Sequence, residues 1–212
     1  MSVLSDDRRL HGHLIGQQGS RRALNTPVLV LDLDVLEANI AAMAQLAAKA
    51  GVRLRPHAKT HKSVDIARRQ VAAGAFGLCC AKLGEAEALA EGDIENLHIT
   101  SPVVSAPAIA RLIALNARSP GLSVVADHPD NVAALAAAAS PEAPLSVFVD
   151  IDPGIRRTGV ASDDAAVALA RQIAEHRQHR RRQHRRRHRH PPHRPGARRL
   201  QRAAGGLLRL HG

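Results

Sequence analysis

Tyrosine and tryptophan are absent from this 212-residue chain and phenylalanine occurs only twice, a shortage of aromatics unusual for a complete enzyme domain. Cysteine is confined to the adjacent pair Cys79 and Cys80, which excludes a disulfide framework and points to a reducing cytoplasm. Residues 1–16 hold no apolar run of signal-peptide length, and the Ala-rich stretch 132–139 is too short to span a bilayer. Lysine is scarce too: Lys49, Lys59, Lys62 and Lys82 are four among 30 basic side chains. Arginine replaces lysine as a surface charge but cannot form a Schiff base, because it stays protonated. A lysine kept in so arginine-rich a chain marks a place to ask whether an amine is required. Two of the four fall in Arg55-Pro56-His57-Ala58-Lys59-Thr60-His61-Lys62, where a short apolar run gives way to polar residues.

The formal net charge of +11 would suggest a nucleic-acid partner if it were spread over the fold. It is not. Residues 177–212 hold 13 arginines and no acid, leaving residues 1–176 with 17 basic and 19 acidic side chains. The basicity belongs to the tail.

Residues 1–25 are polar with little periodicity and are expected to form an irregular lead-in. From residue 26 the pattern becomes regular. The apolar run 28–31 predicts a strand, Asp32 and Asp34 are helix-start signals, and Gly51 sits where a helix-ending glycine belongs. The unit then repeats, with strands expected at 52–54, 76–80, 97–100, 122–126 and 147–151. Helices are expected at 64–73, 85–91, 106–116, 131–139 and 164–175, the last capped by Asp163. Strands alternating with helices predict repeated βα units on a parallel sheet. No Gly-x-Gly-x-x-Gly follows the first strand, which disfavours a dinucleotide-binding sheet. The expected fold is α/β: a partial TIM-type (β/α) barrel with about five of the eight strands a closed barrel needs. It occupies residues 26–176, between the lead-in 1–25 and the tail 177–212.

The tail has too few apolar residues to offset its ordering entropy and is expected to be disordered. Two accounts compete for it. An arginine-rich arm would bind RNA, whereas a reading-frame shift in a GC-rich gene would produce the same runs of Arg, His, Pro and Gly. The abrupt break inside a βα repeat favours the frame shift.

In a parallel βα barrel, functional side chains gather at the carboxyl ends of the strands. Lys59, residues 79–82, Thr100 with Ser101, Asp127 with His128, and the loop 150–160 all take that position. A lysine there, near another cation, is expected to act as an amine nucleophile. His57 and His61 flank it, and either cofactor contacts or bonds to neighbouring backbone would explain them. Lys62 reads as a surface charge. Glu85 and Glu87 suit the first turn of a helix. Cys79 and Cys80 should point to opposite faces of their strand. Asp150 and Asp152 would support the loop that presents Arg157, with Gly154 and Gly159 as turn glycines.

Thr26-Pro27 before a strand, the Arg-Pro-His-Ala-Lys-Thr-His-Lys window, and Asp150-Ile151-Asp152-Pro153-Gly154 continuing to Arg157-Thr158-Gly159-Val160 resemble the alanine racemase-type pyridoxal-phosphate enzymes. Within them the resemblance is to the D-threonine aldolase and D-serine dehydratase branch. It implies that Lys59 is the lysine that forms a Schiff base with pyridoxal 5'-phosphate, and that Arg157 lies beside the cofactor ring and its 3′ oxygen; His57 and His61 are further cofactor-site candidates. It also implies a lyase for a small β-hydroxy-D-amino acid, acting by retro-aldol cleavage to glycine and an aldehyde or by dehydration. A homodimer and a divalent metal in a later β domain belong to the same resemblance. The tyrosine-containing segment, the last three barrel strands and the metal-bearing domain have no counterpart here. The tail histidines, His179, His184, His188, His190, His193 and His211, lack a metal-ligand spacing. No metal site is therefore expected, and the chain as it stands is expected to be inactive. The alternatives are a racemase or non-catalytic pyridoxal-phosphate protein of the same fold, and a nucleic-acid binder acting non-specifically through the tail; no membrane partner is expected.

Overall fold

The computed structural model describes residues 10–140, 142–187 and 208–210, with side chains through residue 176. Residues 1–39 and 40–212 form two compact units.

In the first unit, Leu10 and His11 are helical, and two 3₁₀ turns, Gly12–Leu14 and Ser20–Ala23, follow them among the described residues up to 32. The strand expected at 28–31 does not form. A strand needs a neighbour to take its N–H and C=O groups, and the described residues of this unit supply none. Leu29 is accordingly fully exposed. Helix α1 (Leu33–Lys49) begins where the Asp32 carboxylate accepts the Val35 N–H at 3.1 Å, and ends at Gly51, whose φ of +65° suits a residue without Cβ.

The second unit carries the repeated βα pattern. Its elements run α2 (Val64–Ala72), β1 (Cys79–Cys80), α3 (Leu83–Glu91), β2 (His98–Ile99), α4 (Ala106–Asn116), β3 (Ser123–Ala126), α5 (Pro129–Ala138), β4 (Leu145–Val149), α6 (Asp163–Arg187) and β5 (Leu208–Leu210). Strands β1 to β4 pair in parallel and in chain order. An unbroken order with right-handed crossovers puts every helix on one side, as in a barrel; a doubly wound sheet would reverse order at a switch point. The strand expected at 52–54 is reduced to a parallel bridge between His57 and Cys79, with Leu54 and Pro56 carbonyls accepting from Phe76 and Cys79 N–H at 2.8 Å each. Pro56 has no N–H to give a ladder, so pairing there stays partial and starts later than the apolar run. With this segment the five expected parallel positions are present.

Two features depart from expectation at the other end. Helix α6 passes residue 176 and runs to Arg187, because arginine and glutamine are good helix formers even where they cannot build a core. Its cap is Ser162, whose hydroxyl accepts the Ala165 N–H at 3.2 Å, rather than Asp163. Strand β5 pairs antiparallel with β4, an edge strand the pattern did not announce. The rest of the expected disordered tail, 188–207 and 211–212, lies outside the described residues.

The sheet has one apolar face and one of mixed character, where Val125 and Phe148 are register partners beyond a more polar row. Cys80, Ile99, Val124 and Val147 are register partners, are all fully buried, and pack under the helices with Leu112, Leu135 and Ile173. The neighbouring row, His57, Cys79, His98, Ser123 and Ser146, points the other way and is polar throughout. Cys79 and Cys80 thus separate as expected. The sheet is spaced closely at its amino end, where a Cβ on Gly77 would collide with the Asn96 carbonyl.

Candidate functional site

Lys59 sits on the 3₁₀ turn Ala58–Thr60, which leaves the sheet immediately after the His57–Cys79 bridge. The turn is pinned from below by Ala58, 1% exposed, whose carbonyl accepts the His61 and Lys62 N–H groups at 3.2 and 2.8 Å. The Lys59 side chain itself is exposed. His57 Nδ1 accepts the Lys59 N–H at 3.3 Å, and its Nε2 lies 3.2 Å from the Thr100 hydroxyl beyond β2. His61 turns away from this pair: its Nδ1 accepts the Ser63 N–H at 3.0 Å, and its ring faces Gln70 on α2.

Arg157 lies on the loop after β4, at the same carboxyl edge. The Asp152 carboxylate gathers that loop by accepting N–H groups of Gly154 and Arg156 at 2.9 and 3.0 Å. Asp127, following β3, accepts the Gly159 N–H at 3.0 Å, and Ile151 bridges Val160. Gly159 has φ +100°, and a Cβ there would lie 2.5 Å from the Asp152 nitrogen. The supporting role expected of Asp152 is present; Asp150 contributes through its backbone, bonded to Ala126 and Val160. The Arg157 guanidinium is exposed. The fold therefore brings His57, Lys59 and Thr100 together, and sets Arg157 on a separate braced loop four strand positions away. In an eight-stranded barrel, positions four apart face each other across the mouth.

His98 escaped the motif reading, although strict alternation along 97–100 places it opposite Leu97 and Ile99. Its Nδ1 lies 2.9 Å from the Ser123 hydroxyl and its ring meets the edge of Phe148 at 4.9 Å between centroids. Burial, then the positive charge of Arg55 and of His57, pushes its pKa down from 6.5 to about 4. Burial also lowers His57, with Lys59 acting in the same direction, and lowers His61. Well above pH 6.5 these rings are neutral whether folded or not. Below it the unfolded chain takes up protons that the folded chain refuses, so stability falls as the pH drops toward about 4. Thermal melts across that window should show a falling midpoint, and His98→Gln should flatten part of the decline.

A parallel βα sheet in unbroken order, with an exposed amine and an exposed guanidinium at its carboxyl edge, is the arrangement of a (β/α)-barrel-type domain. The chain belongs to the family of the alanine racemase N-terminal domain, whose model matches residues 31–184. It is 41% identical over 153 residues to a 3-hydroxy-D-aspartate aldolase of Paracoccus denitrificans, covering 71% of this chain and 40% of the relative. A D-threo-3-hydroxyaspartate dehydratase of Delftia sp. is 37% identical over 155 residues, covering 72% and 40%. The structure of D-threonine aldolase from Filomicrobium marinum superposes with a TM-score of 0.68 at 40% identity, covering 72% of this chain and 41% of that one. The chain thus spans about two fifths of the length of these relatives. Among the described residues, no helix is long and apolar enough to cross a membrane.

Proposed function

We propose that Lys59 is the covalent anchor for pyridoxal phosphate, the cofactor expected for this family, and that the chain is the anchor-bearing part of a cytoplasmic lyase for β-hydroxy-D-amino acids. Residues 26–176 are its barrel portion. The observation that carries the reading is the position of Lys59: an exposed amine on a fixed turn at the carboxyl edge of the sheet, with a braced arginine after β4. An amine suits the cofactor's aldehyde, and a guanidinium suits an anionic ring oxygen. When bound, the cofactor supplies an electron sink for charge left at the substrate Cα. The protein's part is to hold Lys59 still, to keep His57 neutral beside it, and to hold Arg157 through Asp152 and Asp127. A divalent metal has no fitting donor set here, since no group of three His, Cys, Asp or Glu side chains converges among the described residues. No step is assigned to one.

The substrate class follows the named activities of the relatives, two aldolases and a dehydratase. Product analysis with D-threonine separates the outcomes. Glycine with acetaldehyde marks Cα–Cβ cleavage, ammonia with 2-oxobutanoate marks loss of water, and L-threonine marks inversion. Cofactor titration comes first: a visible absorbance band that saturates with pyridoxal phosphate and disappears on borohydride reduction is expected. A chain that develops no such band would refute the anchor role.

A further inference from the structure

We propose that His57 and Thr100 are positioning residues for Lys59, tying its turn to the end of β2 through a histidine held in one tautomer. The inference rests on the anchor reading of Lys59.

The proton inventory is closed. The Thr100 hydroxyl donates to the Cys80 carbonyl at 3.1 Å, and the Thr100 N–H reaches the same carbonyl at 2.8 Å. With its single hydroxyl proton committed, the Thr100 oxygen accepts from His57 Nε2 at 3.2 Å. His57 Nδ1 must then be bare, because it accepts the Lys59 N–H at 3.3 Å. Only the neutral ring with its proton on Nε2 satisfies both contacts. An imidazolium would set its Nδ1 proton against the Lys59 N–H. The groups around the ring are Lys59 on its own turn, Cys79 across the bridge, Glu85 on α3 and His98 on β2. The Glu85 carboxylate is engaged by the Ala81 N–H at 2.7 Å.

The consequence is mechanical. Lys59 has a free side chain on a backbone fastened at two points: Ala58 buried beneath the turn, and His57 reaching sideways to a residue 43 positions away. A lysine so held presents its amine to one place on the mouth. A lysine on a slack loop would lose that orientation each time the cofactor leaves.

Four substitutions take the tie apart. His57→Asn keeps an acceptor for the Lys59 N–H but falls short of Thr100. His57→Gln reaches Thr100 but drops the local acceptor. Thr100→Val removes the hydroxyl at constant shape, and Thr100→Ser restores it. Two readouts are taken, amide hydrogen exchange at Lys59 in the cofactor-free chain and the dissociation constant for pyridoxal phosphate. Thr100→Val and His57→Gln should speed exchange at the Lys59 amide by about two- to tenfold, the worth of one net hydrogen bond. Thr100→Val and His57→Asn should weaken cofactor affinity by a similar factor, about two- to tenfold, with Thr100→Ser close to the unsubstituted chain. Should Thr100→Val fail to fold by circular dichroism, His57→Asn cuts the same tie from its other end. Faster exchange with unchanged affinity would overturn the positioning role, as would no change in either. A chain whose Lys59 takes no cofactor before any substitution fails the anchor reading instead, a result plainly different from a labelled Lys59 that is indifferent to Thr100.

Discussion

Lys59→Arg is expected to abolish the cofactor-dependent absorbance band altogether while leaving the fold intact. The substitution preserves charge and approximate length but exchanges a nucleophilic amine for a guanidinium that stays protonated. Because the Lys59 side chain is exposed and makes no described hydrogen bond, its loss removes no packing. The turn beneath it is held by backbone bonds to Ala58 and by His57, none of which involves the amine. The other three lysines cannot substitute from where they stand. Lys49 ends α1, Lys82 precedes α3, and Lys62 lies beyond the turn that carries Lys59, with its backbone at φ +49°. The measurement is a cofactor titration of both forms at equal concentration, with circular dichroism to confirm equal folding. Comparable bands in the two would place the attachment elsewhere.

The second large effect concerns stability. Ile99→Ala should cost about 2–5 kcal/mol, the usual range for emptying a fully buried aliphatic site. Ile99 is 0% exposed and sits in the row Cys80, Ile99, Val124 and Val147 that faces the helices. Its neighbour His98 looks to the other side, where it is only part-buried and bonded to Ser123. His98→Ala should therefore cost far less at neutral pH, about 1 kcal/mol for the lost hydrogen bond. Urea unfolding of the pair tests the two-faced sheet directly. Equal losses, or the larger loss at His98, would mean the faces have been assigned the wrong way round.

How far the sequence discloses this arrangement depends on how local the signal is. Helix α4, residues 106–116, is legible to the residue, because its apolar spacing acts within a few turns. The strands are legible as positions in a parallel order, since each apolar run must lie under a helix. Their ends are not, because pairing is decided by neighbours far along the chain. Run 28–31 shows the limit: its residues suit a strand, yet strand formation needs a partner that composition cannot supply. Helix α6 shows the opposite limit, where propensity carries a helix beyond the last core-forming residue. At the site, Lys59 and Arg157 stand out as motif residues, and Asp152 as a loop-forming acid. The tie from His57 to Thr100 spans 43 residues and becomes visible only once β2 is laid beside β1. His98 is equally hidden, since one histidine within an apolar run carries no sign of what faces it.

Peptide mapping after borohydride reduction tests the central claim most directly. The chain is loaded with pyridoxal phosphate, reduced, digested, and each lysine-containing peptide is scored for the phosphopyridoxyl mass. The group is expected on Lys59 alone, with none on Lys49, Lys62 or Lys82. Label spread evenly over the four lysines, or concentrated on any of the other three, would contradict it.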